Sequence, residues 1–258
     1  MIILLHSSKT MKIVPQGKGK LRAPQLLEKA KELDKLLQQL SPAELGKMMH
    51  VSPALAQKTH ELIESWTAAP GEQSLAIDTF IGDIYSGLQA QTLTPSDREY
   101  ADETLRILSG LYGIIRPADG IFPYRLEMGY KFLNADFKNL YEFWGEEIAK
   151  TLPASGPIVN LSSVEFSDVI TRFVDANRVI APQFLTVNPK TGKPTFVVIH
   201  AKIMRGAFAH WMIKSRTEDV QKLVEFSDFG YQFDPELSTP NTPTFVCQEF
   251  EGKGLSMK

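Results

Sequence analysis

The sequence predicts an α/β protein of the mixed α+β kind: a single compact domain over residues 1–258, with a central mixed sheet and surrounding helices. Three observations predict it. The chain opens on an apolar run, Ile2-Ile3-Leu4-Leu5, that stops in the polar stretch HSSKT. A second apolar run, PIVNLSS, ends the same way. Long segments with apolar residues at helical spacing separate and follow them. At 258 residues and 43% hydrophobic content the chain can bury one sizeable core.

The elements follow in order. After the first strand, Pro15 to Pro24 contains Gly17, Gly19 and three bases, and reads as a basic loop or lid. Its GKGK lacks the spacing of a phosphate-binding glycine loop or dinucleotide fingerprint. Leu26, Leu27, Ala30, Leu33, Leu36, Leu37 and Leu40 then recur with a helical period. Ser41-Pro42 supplies a cap and first-turn proline for a second helix, with Glu44 placed to close a capping box. Ser52-Pro53 repeats the device for a third helix, on which Leu55, Thr59, Leu62, Ile63 and Trp66 share a face. The segment 25–66 is thus either a plain helical hairpin or a helix-hairpin-helix-like element whose turn, His50, Val51 and Ser52, offers amides to a phosphate.

Further along, SLAIDTF reads as a strand, and Thr94-Pro95 opens a helix that runs to about Leu108. A loop-rich stretch, SGLYGIIRPADGIFPYRLEMG, precedes a helix in LYEFWGEEIAKTL. RVIAPQFLTV and TFVVIHA, separated by NPKTGKP, give a hairpin signal. KIMRGAFAHWMIKS is a helix that begins with Lys202 and Arg205, TEDVQKLVEF is a final helix with an acidic cap, and FGYQFD and TFVCQEF close the chain as strands.

Composition narrows the function. No stretch approaches the ~20 apolar residues needed to cross a bilayer, and five apolar residues before Lys9 and Lys12 are too few for a secretory leader, so a cytoplasmic protein with no membrane role is expected. Cys247 is the single cysteine, which excludes an intramolecular disulfide and is expected to be a buried, inert thiol. The five histidines show no metal-ligand spacing and no nucleophile elbow is present, so neither metal nor cofactor is expected. The net charge is only −2, but it is segregated. Residues 1–27 hold five bases and residues 176–217 hold seven, and neither segment contains an acid. That pattern is either chance or the footprint of a phosphate-rich partner.

Several residues are candidates for chemistry. Two parallel strands that bring HSSK and NLSSVE to one sheet edge would gather Ser8, Lys9, Thr10, Asn160, Ser162, Ser163 and Glu165 in one cleft. There Lys9 acts either as a point charge for phosphate or as an amine nucleophile, with the charge role favoured. Asp83 and Tyr85 in GDIYSGL are either a general base and a proton donor or an N-cap carboxylate and a packed ring, and Lys9, Asp83 and Glu165 form a candidate catalytic set. Arg116, Arg125 and Glu127 lie in one long connection, where the arginines either hold a phosphate in two-pronged fashion or tie the loop together.

The blocks HSSKT, GDIYSGL, LRILSGLYGIIRPADGIFPYRLEMG, LYEFWG, NLSSVEF, AKIMRG and FGYQF resemble, in order and over essentially the whole chain, the peroxide-stress protein YaaA family. The resemblance implies a cytosolic bacterial protein of the oxidative-stress response that limits free iron. It further implies a mixed α/β domain with a helix-hairpin-helix element and a positively charged cleft for duplex or branched DNA, with little sequence specificity. On that reading Ser8, Lys9, Thr10, Arg116, Arg125, Lys202 and Arg205 meet phosphates while His50, Val51 and Ser52 present hairpin amides. An enzyme acting on damaged DNA or a nucleotide base through Lys9, Asp83 and Glu165 is the alternative. One departure stands out: better-known members open Ser-Pro-Ala-Lys-Thr, where this chain has His6, Ser7, Ser8, Lys9 and Thr10.

Overall fold

A computed structural model describes residues 1–14, 21–67, 73–132 and 136–255. The expected glycine-lysine loop at 17–20 lies outside the described residues. The opening apolar run forms β1 (Ile2–His6), buried along its whole length, and a two-residue β2 follows (Thr10–Met11). Three helices then form one layer: α1 (Leu27–Leu37), α2 (Pro42–Met49) and α3 (Pro53–Ser65). The expected caps are present. Ser41 and Glu44 close a capping box at α2, and the Ser52 hydroxyl accepts the Leu55 N–H at α3. Ala30, Leu33, Leu37, Leu45, Met49 and Ile63 are buried, and Trp66, just past α3, donates its indole N–H to the Tyr112 hydroxyl at 2.7 Å.

The next segments depart from the sequence reading. SLAIDTF is not one strand but β3 (Ser74–Leu75), a helical turn α4 (Ala76–Thr79) and β4 (Phe80–Ile81). The turn places Asp78 for a two-pronged ion pair with Arg98, both bonds 2.9 Å. After α5 (Asp83–Leu88), α6 (Pro95–Thr104) stops four residues earlier than its pattern predicts, and LRILS becomes β5 (Leu105–Ser109). All five residues of β5, Leu105-Arg106-Ile107-Leu108-Ser109, are buried, so the segment lacks the regular alternation that marks a half-buried strand. Arg106 is tolerated there because its guanidinium donates to the Leu105 and Asp102 carbonyls.

The loop-rich stretch contains β6 (Gly113–Ile115) and β7 (Gly120–Ile121). The expected helix in LYEFWGEEIAKTL is two, α7 (Leu140–Trp144) and α8 (Glu147–Lys150), broken at Gly145, whose φ of 49° leaves the helical region. β8 (Ile158–Asn160), α9 (Val164–Thr171), β9 (Val179–Ile180) and β10 (Gln183–Val187) follow. The hairpin exists, but its second strand β11 has only Pro194–Thr195, and VVIHA instead begins α10 (Val198–Ser215). That helix is apolar on most of its circumference because it is buried. The final predicted helix is a 3₁₀ segment over Val220–Glu225, capped by Asp219, before β12 (Tyr231–Phe233) and β13 (Thr244–Cys247).

The strands assemble into a five-stranded sheet, β6-β5-β1-β8-β9, and a four-stranded sheet, β11-β10-β13-β12. In the first, β5, β1, β8 and β9 are parallel and β6 is antiparallel, so the central sheet is mixed. The chain leaves β1 for β5 on one side, and leaves β8 for β9 on the other. β1 and β8 are neighbours, which makes the crevice beyond their carboxyl ends a topological switch point.

α10 packs against α5, β1 and β10 and so joins the two sheets. Its crossing with α5 is close: a Cβ built on Gly206 would overlap the Ile84 carbonyl oxygen, and one on Gly87 the Ile203 carbonyl oxygen. Gly206→Ala is therefore expected to cost more than ~3 kcal/mol, because backbone, not a flexible side chain, must move. Chemical denaturation checks this, with Gly254→Ala, where the added Cβ meets nothing within 4 Å, as the control.

Candidate functional site

A cleft of roughly 350 Å³ opens at the switch point. The ends of β1 and of β8 with α9 build its floor, α5 and the 122–129 segment flank it, and α10 brings two cations. The two strand ends do meet there: Ser8, Lys9, Ser163 and Glu165 line the cleft, whereas Thr10, Asn160 and Ser162 do not. Ser163, which precedes α9, donates its N–H to His6 Nδ1 at 3.1 Å, and the His6 ring stacks on Phe166 with centroids 4.9 Å apart and planes 19° from parallel. His6 is 8% exposed. Burial first, then the positive charges of Arg205 and Lys202, push its pKa down to about 3, so the ring is neutral at physiological pH. Tyr85 donates its hydroxyl to the His6 carbonyl at 3.0 Å, and burial holds that phenol protonated.

Most of the polar groups at the strand ends are committed to the protein itself. The Ser8 hydroxyl donates to the Ile81 carbonyl and accepts the Thr10 N–H at 3.3 Å. It sits against Gly82, whose φ of 135° and whose space suit glycine, since an added Cβ would stand 3.0 Å from the Ser8 oxygen. The Ser7 hydroxyl joins Tyr124, and Asn160 Oδ1 accepts from the amide and hydroxyl of Ser162. Glu165 accepts the Gly129 N–H at 2.9 Å. Lys9, its side chain 57% exposed, is ion-paired to Glu127 at 2.9 Å, and Tyr130 donates to the same carboxylate oxygen at 3.1 Å. Asp83 lines the cleft from the first turn of α5.

Lys202 and Arg205 stand three residues apart on α10, and neither forms an ion pair with an acid among the described residues. Burial pulls the Arg205 pKa down from its ordinary value, the mark of a guanidinium held without a counter-charge. Four further bases of the two acid-free segments are engaged: Arg22 pairs with Asp102 and Asp119, Lys214 and Arg216 with Asp97, and Arg178 donates to the carbonyls of Pro153, Ala154 and Gly156.

Not every candidate reaches the cleft. Arg116 follows β6, which runs against β5, and so lies at the opposite end of the sheet near Asp102 and Arg106. Arg125 does not line the cleft, and its buried Nε has no hydrogen-bond partner. Thr10 pairs with Ile81 in a two-stranded ribbon beside the site. At the α2–α3 turn the N–H groups of His50 and Val51 both donate to the Gly46 carbonyl, and His50 takes a left-handed φ of 53°. Ser52 is the helix cap, so two of the three expected phosphate-facing amides are already bonded. Sequence reasoning missed His6 and Phe166 as site residues. The signal was there, a histidine at the end of a fully apolar run, directly before the Ser-Ser-Lys that was singled out.

The family profile described as Peroxide stress protein YaaA matches residues 1–237. The chain belongs to this family. A UPF0246 protein of Salinispora tropica is 54% identical over 258 residues, covering 100% of this chain and 98% of the relative. UPF0246 proteins of Marinomonas sp. and Burkholderia thailandensis are each 38% identical, over 232 and 264 residues, covering 88% and 98% of this chain and 88% and 100% of the relatives. No helix among the described residues is long and apolar enough to cross a membrane.

His6 gives this YaaA-family chain a pH signature. Its folded pKa lies below that of the unfolded chain, so on acidification the unfolded state takes up the proton first and stability falls from about pH 6.5 towards pH 3. The slope in that window is at most about 1.4 kcal/mol per pH unit. Urea unfolding across pH should show this extra loss in wild type relative to His6→Asn, and equal slopes above pH 7.

Proposed function

We propose that this YaaA-family protein serves the bacterial peroxide-stress response in the cytoplasm by binding DNA, duplex or branched and with little sequence specificity. The carrying observation is the pair Lys202 and Arg205, two cations that face one crevice with no ion-pair partner among the described residues, whereas Lys214 and Arg216 of the same segment pair with Asp97. Lys9, exposed and held by a single carboxylate, adds a charge that can be released to a phosphate. Arg116, Arg125 and the hairpin His50-Val51-Ser52 lie outside the cleft and, on this reading, give secondary contacts to a long ligand. The limiting of free iron rests on the family resemblance and is read as an indirect consequence.

A second reading has its own support: Lys9, Asp83 and Glu165 line the same cleft, as an enzyme acting on a damaged nucleotide needs. The Lys9–Glu127 ion pair favours the charge role for the amine over nucleophilic attack. Borohydride trapping on abasic DNA separates the two, and no Lys9 adduct is expected.

DNA affinity should fall steeply with salt, because each neutralised phosphate releases condensed counterions. Lys202→Ala and Arg205→Ala should each weaken binding uniformly across sequences and reduce the slope of log K against log salt by about 1. A flat salt response in wild type would overturn the reading.

A further inference from the structure

We propose that the inner end of the cleft is a pocket for one phosphomonoester group, held by Lys202 and Arg205 and read by the Nε2–H of His6. The site would take the phosphate of a nucleic-acid strand end or of a free mononucleotide. This deepens the DNA-binding reading and rests on it only for the strand-end source.

Three observations converge. The first is the state of His6. The Ser163 N–H occupies Nδ1 as an acceptor, so the proton of the neutral ring resides on Nε2. The residue is more than nine-tenths buried and lines the cleft, and Nε2 has no partner among the described residues. Nε2 is not among the fully buried atoms, so this fixed donor is open to the cleft, where a ligand oxygen can accept from it.

The second is charge. The acids that share the cleft are Asp83, Glu127 and Glu165. Glu127 is engaged by Lys9 and Tyr130, and Glu165 by the Gly129 amide. Lys202 and Arg205 supply two charges without ion-pair partners, which match the nearly doubly negative monoester at neutral pH better than the single charge of a backbone diester. The three carboxylates disfavour a second phosphate group beside the first at the inner end, while the cations remain within reach of a strand that lies along the mouth of the cleft.

The third is size and place. A crevice of roughly 350 Å³ at a topological switch point has the volume of a small-ligand site. His6, 8% exposed in that crevice, is better matched to a group that ends a chain or stands alone than to the side of a duplex.

The test compares a 5′-phosphorylated oligonucleotide with its 5′-hydroxyl twin, alongside a nucleoside monophosphate, on wild type, His6→Asn and His6→Gln. Asn places its amide oxygen near Nδ1 and keeps the Ser163 acceptor but loses the Nε2 donor; Gln places its amide near Nε2 and keeps the donor. Wild type should prefer the phosphorylated strand by roughly tenfold or more, the size of one charged hydrogen bond. His6→Asn should lose that preference and His6→Gln retain most of it, with affinity for the hydroxyl strand unchanged in both.

A mononucleotide that binds with the same His6→Asn sensitivity assigns the free nucleotide as source; failure of the mononucleotide with preference for the phosphorylated strand assigns the strand end. Equal binding of the two strands, together with no mononucleotide binding, overturns the pocket and leaves DNA binding standing. Loss of all DNA binding with mononucleotide binding intact overturns the DNA reading and leaves the pocket. Phosphate preference that survives in His6→Asn, or falls equally in both variants, makes His6 a structural pin only. If a variant does not fold, ¹⁵N-histidine NMR of wild type decides: titrated phosphomonoester should move the His6 Nε2 resonance, and an unmoved signal overturns the proposal.

Discussion

The α5–α10 crossing sets the geometry on which the rest of the molecule depends. Gly87 and Gly206 let two backbones meet where any side chain would overlap a carbonyl. α5 begins at Gly82, which is itself pressed against Ser8 at the end of β1, so the depth of α10 is referenced through α5 to the first strand. Lys202 lies one helical turn before Gly206 and Arg205 directly beside it. The points on α10 from which they reach towards His6 are therefore set by backbone contact. On its other side α10 closes the aromatic cluster of Phe184, Phe208, Phe226 and Phe245 over the second sheet, which resists any outward shift of the helix.

This rigid placement explains how uncompensated cations are tolerated in a partly buried crevice. A buried charge without a partner is costly, and the protein lowers that cost in two ways. It keeps the nearest titratable ring neutral, so no third positive charge is added. It also uses the remaining strand-end polar groups on one another: Ser8 to Ile81, Ser162 to Asn160, Glu165 to Gly129, Ser7 to Tyr124. Those bonds hold the wall of the cleft and leave few donors unspent, all close to Lys202, Arg205 and His6.

What the sequence made legible follows from which signals are local. Strand β1, the capped helices α2 and α3, and the meeting of HSSK with NLSSVE were readable because apolar runs, Ser-Pro caps and polar strand ends are written in adjacent residues. β5 was not, because a strand buried on both faces loses its alternation and its five residues continue the pattern of α6. SLAIDTF failed for the related reason that seven residues fit a strand or a turn equally well, and the choice was made by Arg98, twenty residues from Asp78. The charge segregation was real in sequence yet partly offset in three dimensions, since Asp97, Asp102 and Asp119, from outside the acid-free segments, pair with Arg22, Lys214 and Arg216. Arg116 was misplaced by the same blindness: only the antiparallel sense of β6 sends it to the far end of the sheet.

His6 shows how one side chain sets the chemistry of the cleft. A serine at that position would offer a rotatable hydroxyl able to donate or accept. The imidazole is held by a backbone amide on one nitrogen and by a stacked ring on its face, so its other nitrogen can only donate, and only in one direction. A ligand atom that meets it must be an acceptor, and one that also lies near two cations gains most when it is anionic. Compared with such a hydroxyl, the ring offers a selective contact instead of an adaptable one, and it does so where the strand order reverses and the fold provides a crevice.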